Sequence, residues 1–174
     1  MSFSKVSCFI KAIVKSLPLF TLSVSAQSIY QIPMVALNPD SNIYHEVQTL
    51  SGYQNKPLII TFFAPNCRWC QRQHKALKKI SLACPETSIV FLGVQGNKAN
   101  LRQELRRKKN TFPAFVADHK IVNLIGSESP VPMTLLFKKT GELPLKTIGY
   151  LRADDLVELL KYHGVANCIS RTSE

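Results

Sequence analysis

Apolar runs of strand length alternate with stretches of helical character along most of this chain. Leu58 to Phe63 is a nearly continuous apolar run rich in β-branched and aromatic residues, which is typical of a strand buried on both faces. A second run of this kind covers Ser88 to Val94. Between the two runs, the pattern predicts a helix from Cys67 to about Ala83, which Pro85 stops.

Downstream of these runs, strands continue to alternate with helices and end in a β-hairpin. Gly141 lies in the turn of that hairpin. The alternation predicts a single α/β domain without internal repeats. The remaining predicted elements are a basic helix over 98–109, an extended piece over 114–117, a brief helix over 121–125, hairpin strands over 133–137 and 145–150, and a last helix from Asp154 and Asp155 to Gly164.

The first 26 residues have the composition of an export signal. Lysines at positions 5, 11 and 15 precede an apolar run from Leu17 to Val24, and small residues end the segment. The apolar run is shorter than the roughly 20 residues that a membrane-spanning helix needs, so we predict cleavage after Ala26. The chain then divides into a signal peptide over 1–26, a lead-in over 27–44 and a domain over 45–174. Such a protein is exported, to the periplasm if the host is a Gram-negative bacterium.

The lead-in shows no sustained hydrophobic period and contains Pro33 and Pro39, so we predict loose structure over 27–44. The next residues, His45 to Leu50, predict a short helix that ends at Gly52.

The composition is that of a soluble globular protein, with 45% hydrophobic and 19% charged residues. The net charge of +11 falls to +8 once the three lysines of the leader are removed. The densest basic run has no interleaved aromatic residues, so we interpret it as a solvated helix face that attracts acidic partners, and we predict no nucleic-acid binding. Its members are Arg102, Arg106, Arg107, Lys108 and Lys109.

Cys67 and Cys70 form a CxxC pair at the predicted strand-to-helix junction. The start of a helix stabilises negative charge, and Arg68 and Arg72 add positive charge, so we expect a lowered pKa for the Cys67 thiol. Cys70, one turn into the helix, is then the more buried, resolving thiol. A zinc site would need a second Cys or His pair at ligand spacing, and a c-type haem would need His where Gln71 stands. The pair therefore indicates thiol–disulfide chemistry rather than a metal or haem site.

The segment from Phe63 to Cys70, together with the later Val131-Pro132-Met133-Thr134, resembles the thioredoxin fold. The extra residues from Asn97 to Ile125 resemble the helix–strand insertion of exported proteins of the TlpA, ResA and DsbE type. The resemblance implies a three-layer sandwich, a central mixed β-sheet flanked by helices, with the insertion before the cis-proline hairpin. It also implies that Pro132 is the cis proline and that Val131 offers its backbone to the substrate. We expect Trp69 to shape substrate contact around the sulfurs.

Three positions depart from this family's pattern. Asn66 stands where Trp often precedes the first cysteine, Thr61 where thioredoxin has a buried Asp, and Gln73 where ResA-like proteins carry Glu. Without these carboxylates, and with basic neighbours, the thiolate is favoured. A stabilised reduced form means a more oxidising couple, which keeps an oxidase or isomerase as an alternative.

Cys84 and Cys168 are the two other cysteines that follow the leader. In a thioredoxin fold the helices that precede them lie on one face and finish at the same edge of the sheet, so a structural disulfide between them fits. A buried Cys84 and a free thiol in the tail is the alternative.

We predict an exported protein thiol–disulfide oxidoreductase, acting as a reductase, in which Cys67 attacks and Cys70 resolves. The implied partners are protein thiols or disulfides and a membrane redox partner. No organic cofactor and no metal are needed, because the Cys67–Cys70 disulfide carries the electrons, and we predict a monomer. One alternative is a disulfide oxidase or isomerase that uses the same site. A second is a copper-binding chaperone whose ligands are both cysteines and His74, with Met133 as a further soft ligand. A third is a redox-inert interaction module.

Overall fold

The structure is a computed structural model that describes residues 29–37, 47–126, 130–142 and 145–169. The predicted signal peptide lies outside these residues. Two short 3₁₀ turns, Ile29–Gln31 and Ser51–Tyr53, accompany the regular elements. In chain order those are β1 (Met34–Ala36), β2 (Val47–Gln48), β3 (Leu58–Phe63), α1 (Arg68–Ala83), β4 (Ser88–Gly93), α2 (Lys98–Arg107), β5 (Ala114–Val116), α3 (His119–Ile125), β6 (Met133–Phe137), β7 (Leu145–Ile148) and α4 (Ala153–Tyr162).

The strands form one mixed sheet in the order β2-β1-β5-β4-β3-β6-β7. The three inner strands β3, β4 and β5 are parallel, and β6 runs antiparallel to β3 with Phe62 opposite Met133. Parallel pairing needs a crossover connection, which α1 and α2 supply. Because β3 is paired on both edges, its carboxyl end lies in the middle of the sheet.

Side chains of successive β3 residues point to opposite faces of the sheet, and each face has its own apolar core. Ile59 and Phe63 pack with α1, α2 and α4 on one face. Leu58, Ile60 and Phe62 pack with α3 and the N-terminal segment on the other. The result is the predicted α/β sandwich of three layers, which confirms the fold class.

The predicted central strands, the long α1 helix and the hairpin are confirmed, but two expectations near the N-terminus are wrong. The described part of the lead-in is ordered: Val35 of β1 pairs with Val116, and the Tyr30 ring lies 5.8 Å from that of Phe137. Of the predicted helix over 45–50, the structure describes 47–50, and there Val47 and Gln48 form the strand β2, which pairs with β1. Both strands are too short to show a period of two along the sequence, and their partners fix their conformation.

A membrane-crossing helix is absent from the described ranges, where none is both long and apolar enough for that role.

A disulfide joins Cys84, which caps the C-terminus of α1, to Cys168, which follows α4. Both cysteines are buried in the core between these helices, and the bond spans 84 residues of sequence. The Ile169 N–H donates to the Ala83 carbonyl at 2.8 Å and fixes the segment after Cys168 against α1. Closing a loop of this length restricts the unfolded chain and stabilises the fold.

We expect the double variant Cys84→Ser/Cys168→Ser to lose about 4.5 kcal/mol of unfolding free energy, the loop-entropy value for a chain segment of this length. Guanidinium chloride unfolding under oxidising conditions measures the loss. The matched control is Cys67→Ser/Cys70→Ser, which opens a bond spanning only 3 residues and should lose about 2 kcal/mol. Equal losses in the two variants would contradict the structural role of the longer bridge.

Candidate active site

The cysteine pair lies at the junction between the end of β3 and the start of α1. After Phe63 the chain turns through Ala64, Pro65 and Asn66, and Asn66 adopts a positive φ of 58°. This turn places Cys67 at the N-cap of α1, where its Sγ accepts the backbone N–H of Cys70 at 3.1 Å. The sulfur thus occupies the position at which a helix start offers its unpaired N–H groups.

Cys67 and Cys70 form a disulfide, with their Cα atoms 5.2 Å apart. Cys67 is partly exposed whereas Cys70 is 1% exposed, so Cys70 is the more buried of the two, as its place one turn into the helix predicts. A partner sulfur can therefore approach Cys67 from solvent but cannot reach Cys70 directly.

Val131 and Pro132 face the disulfide from the loop before β6. The Val131 carbonyl oxygen lies 3.8 Å from Cys67 Sγ, and the peptide bond between Val131 and Pro132 is cis. The Pro132 carbonyl accepts the Gly149 N–H at 2.8 Å, which joins this loop to the end of β7. Residues 64 positions apart in sequence thus meet at the cysteine pair.

The exposed side of the pair is aromatic and positively charged. Trp69 is 51% exposed and stacks on Tyr150, with ring centroids 6.1 Å apart. The Arg72 guanidinium carbon lies 4.5 Å from the centre of the Trp69 ring, a cation–π distance. Arg68 is exposed beside them, and among the described residues neither arginine has an ion-pair partner. Both charges favour an anion at Cys67.

The basic run on α2 is not a uniformly solvated face, contrary to the sequence interpretation. Lys108 and Glu104 have side chains only 5% and 2% exposed and form an ion pair at 3.3 Å. Burial lowers the pKa of Lys108, and Glu104 opposes that shift. Lys108 Nζ also lies 5.3 Å from the centre of the Phe63 ring. Arg107 donates to the Asn66 side-chain oxygen at 3.4 Å, so α2 supports the turn before Cys67.

The two positions that lack the family's carboxylates are filled by neutral polar groups. Thr61 is 1% exposed, and its hydroxyl forms a hydrogen bond of 3.2 Å with the hydroxyl of Thr134 in β6. Gln73 is fully buried, and its Oε1 accepts the Leu151 N–H at 2.9 Å while its Nε2 has no partner among the described residues. Gln73 therefore ties α1 to the loop between β7 and α4 without adding charge beneath the disulfide.

His74 and Met133, the further ligands considered for copper, lie on opposite faces of the sheet. His74 is 2% exposed; its Nε2 donates to Asn110 Oδ1 at 3.0 Å, and its ring lies 5.4 Å from that of Phe91. Met133 is buried in the other core. The structure does not bring the two side chains together, and its described residues hold no group of three or more His, Cys, Asp or Glu side chains placed to bind a metal.

Solved structures with the same arrangement of elements exist at low sequence identity. A secreted Mycobacterium tuberculosis disulfide oxidoreductase homologous to E. coli DsbE is 15% identical, with a TM-score of 0.64 over 76% of this chain and 96% of that chain. The exposed lipoprotein thioredoxin Etrx1 of Streptococcus pneumoniae is 18% identical, with a TM-score of 0.60 over 75% and 98%. The chain has the thioredoxin fold.

StoA from Bacillus subtilis shares this thioredoxin fold with a TM-score of 0.52 at 18% identity, over 72% of this chain and 92% of that chain. No protein-family model and no curated protein sequence matches the chain. At these identities the likeness establishes the thioredoxin fold, and the reaction has to be argued from the site itself.

Sequence reasoning missed Tyr150 as part of the site, and it missed the contact between Arg107 and Asn66 at the turn before Cys67. Tyr150 is 81 positions from Trp69, and the hydrogen bonds of its neighbours Gly149 and Leu151, to Pro132 and Gln73, bring it alongside. The sequence did carry one indication for Arg107, because it follows Glu104 by three residues, the spacing of an ion pair on one helix.

A charge at position 73 should shift the reduction potential of the Cys67–Cys70 couple. In Gln73→Glu the buried carboxylate keeps the hydrogen bond to Leu151 but disfavours a thiolate at Cys67, about two turns before it on the helix, so the reduced form is destabilised. We expect a potential about 30 mV more negative, measured by glutathione equilibration. The matched control is Gln71→Glu on the exposed face of the same helix turn, where water screens the charge. Equal shifts in both variants, or a more positive potential in Gln73→Glu, would contradict this prediction.

Neutral His74 should make the fold sensitive to acid. Burial lowers the pKa of His74 to about 4, reinforced by Lys78 and Lys108 and opposed by the hydrogen bond to Asn110. The unfolded chain, with a pKa near 6.5, binds the proton first, so stability should fall as the pH drops from 6.5 to about 4.

The expected loss over that window is up to about 3 kcal/mol, measured by denaturant unfolding at each pH. His74→Phe, which keeps the aromatic packing, should flatten the dependence, whereas His119→Gln, at an exposed position, should keep the wild-type slope. A wild-type slope in His74→Phe would assign the acid sensitivity to other groups.

Proposed function

We propose that this protein is an exported thiol–disulfide oxidoreductase that exchanges disulfides with protein substrates through Cys67 and Cys70. The observation that carries the proposal is the disulfide at the first turn of α1, with a partly exposed Cys67 and a buried Cys70. Exchange chemistry needs one accessible thiolate and a second thiol within reach to resolve the intermediate.

In the reductase direction, the Cys67 thiolate attacks one sulfur of a substrate disulfide, and the other substrate sulfur leaves as a thiolate. Cys70, as a thiolate, then attacks Cys67 Sγ, breaks the mixed disulfide and releases the second substrate thiolate. The substrate gains two electrons and the Cys67–Cys70 disulfide is formed. No further cofactor enters this scheme, because the cysteine pair itself carries both electrons.

Val131 and Pro132 lie where a substrate chain would have to pass. The Val131 carbonyl, 3.8 Å from Cys67 Sγ, offers a backbone acceptor beside the reacting sulfur, and Trp69 lies on the exposed side. An extended segment can bind to such a backbone edge by main-chain hydrogen bonds, whatever its side chains. We propose that this edge holds the substrate cysteine in line with Cys67.

Export is supported by the composition of residues 1–26 and by the second disulfide. Cys84 and Cys168 are bridged, and structural disulfides persist in oxidising compartments such as the periplasm. The similar Mycobacterium tuberculosis protein is described as secreted, and the Streptococcus pneumoniae protein as an exposed lipoprotein. We propose that the signal is removed after Ala26, and that a monomer exchanges electrons with a membrane redox partner.

The direction of net electron flow has two candidates. The resemblance to exported reductants supports a reductase, whereas the neutral Thr61–Thr134 pair and Gln73 favour an oxidase or isomerase. Without a carboxylate beneath the sulfurs, the thiolate form is favoured and the disulfide becomes the stronger oxidant.

Substitution of each cysteine should separate their roles. We expect Cys67→Ser to abolish exchange between the reduced enzyme and a test protein that carries a disulfide, because the partly exposed nucleophile is lost. Cys70→Ser should accumulate a mixed disulfide through Cys67, visible by non-reducing electrophoresis and mass spectrometry. Cys84→Ser/Cys168→Ser is the control and should exchange at the wild-type rate at a temperature where it remains folded. Exchange by Cys67→Ser would contradict the proposal.

The reduction potential of the pair then decides the direction. A value near the roughly −270 mV of thioredoxin would support a reductase supplied with electrons from a membrane partner. A value near the roughly −120 mV of DsbA would reject that direction in favour of the oxidase.

A further inference from the structure

A groove lined by basic side chains opens between α1 and the start of α4, and its lining residues Arg72 and Tyr150 both contact Trp69 of the CxxC segment. Its volume is about 470 Å³, and it is lined on the helix side by Arg72, Lys75 and Lys79, with Tyr150 and Arg152 opposite. The disulfide-exchange scheme uses none of the charges beyond Arg72. We infer that this groove binds an acidic segment of the substrate protein, so that the enzyme selects cysteines flanked by Asp and Glu; the inference rests on the proposed exchange function.

The cations of α1 lie on one face of the helix. Positions 72, 75 and 79 follow the spacing of one helical stripe, and Arg68 continues the stripe towards Cys67. From Arg72 to Lys79 the stripe runs roughly 10 Å along the helix axis, at 1.5 Å per residue. That length matches about three residues of an extended peptide at 3.3 Å each. A peptide held at Cys67 can therefore lay its next few side chains along the stripe.

The groove has a net positive charge after its internal pairs are counted. Arg152 is neutralised by Asp155, through two hydrogen bonds of 2.9 and 3.0 Å. Within the described residues, Arg72, Lys75 and Lys79 have no ion-pair partner, and Asp154 is the one carboxylate lining the groove. Three unpaired cations against one carboxylate favour an anionic occupant.

The opposite wall of the groove is held in place by two hydrogen bonds. Gln73 Oε1 accepts the Leu151 N–H at 2.9 Å, and the Pro132 carbonyl accepts the Gly149 N–H at 2.8 Å. Tyr150, between these two anchored residues, stacks on Trp69 and connects the groove to the cysteine pair. A preorganised wall lowers the entropic cost of binding a flexible peptide.

An anionic membrane surface is the other occupant that a basic face can attract, and the geometry favours a polypeptide. The cations line a concave groove rather than a protruding surface. One end of the groove lies at the Trp69–Tyr150 stack beside the disulfide, which is where a substrate chain must sit for exchange to occur. A bilayer contacting the same cations would cover the exposed side of Cys67.

The test compares two peptides of equal length, in each of which one cysteine is held in a mixed disulfide. Five Glu residues follow this cysteine in one peptide, and five Gln residues follow it in the other. For the wild type at low ionic strength we expect kcat/KM to be about tenfold higher for the acidic peptide, since each exposed ion pair contributes only modestly. Lys75→Glu/Lys79→Glu should abolish or reverse this preference, and added salt should reduce it.

The matched control is Lys56→Glu/Lys139→Glu, which makes the same charge change at the opposite end of β3. This variant should retain the preference of the wild type. Equal kcat/KM for both peptides in the wild type would overturn the inference, and so would a preference that survives in Lys75→Glu/Lys79→Glu.

A binding measurement separates the groove from the exchange reaction. Trp69 is the only tryptophan of the chain and contacts Tyr150 and Arg72, which line the groove, so its fluorescence responds to changes at these two residues. We expect a cysteine-free pentaglutamate peptide to change this fluorescence in the wild type and not in Lys75→Glu/Lys79→Glu. Binding without exchange of either mixed disulfide would uphold the groove and reject the proposed function. A response to phosphatidylglycerol vesicles, with none to the peptide, would overturn the inference in favour of a membrane.

Discussion

Burial of β3 on both faces of the sheet is the constraint on which the rest of the site depends. All six of its residues are at most 1% exposed, and the strand is paired along both edges. Burying each large apolar side chain contributes about 1.5–3 kcal/mol, and a shift by one residue would exchange the side chains of the two cores. The register of β3 is therefore fixed, and so is the position of Phe63. The turn that follows has only Ala64 to Asn66 before Cys67, which sets the start of α1 in the middle of the sheet edge.

The helix that begins there carries a disulfide at each end, and the two bonds differ in accessibility rather than in chemistry. Cys67 is partly exposed at the N-terminus, where helix N–H groups and two arginines favour a thiolate. Cys84 and Cys168 are buried at the C-terminus, away from any thiolate that could attack them. The same helix can thus hold one bond that exchanges and one that persists, because attack on a disulfide requires access to its sulfur.

The sequence predicted the elements in which many apolar residues act together. It did not predict those whose conformation depends on a neighbouring element of the fold. The long runs of β3 and β4 and the CxxC pair at the start of α1 were predictable, since burial and helix-start chemistry are local properties. The strands β1 and β2 were not, because two or three residues carry no period; β1 takes its conformation from β5, and β2 takes its conformation from β1. The buried pair on α2 was misread for a different reason: Glu104 and Lys108 share the face of Leu101 and Leu105, at helical spacing, but charge alone suggested solvent.

Positive charge around the cysteine pair acts both at short range, on the Cys67 sulfur, and at longer range, on charged groups in solvent. At Cys67 the Cys70 N–H of α1 lies within hydrogen-bond distance of the sulfur, where salt has little effect on it. The stripe from Arg72 to Lys79 faces solvent, where interactions are screened over about 8 Å at physiological ionic strength. Activation of the thiol therefore depends on the fold, whereas attraction of a partner depends on the medium. A site built this way can keep the reactivity of its sulfur constant while its attraction for charged groups varies with ionic strength.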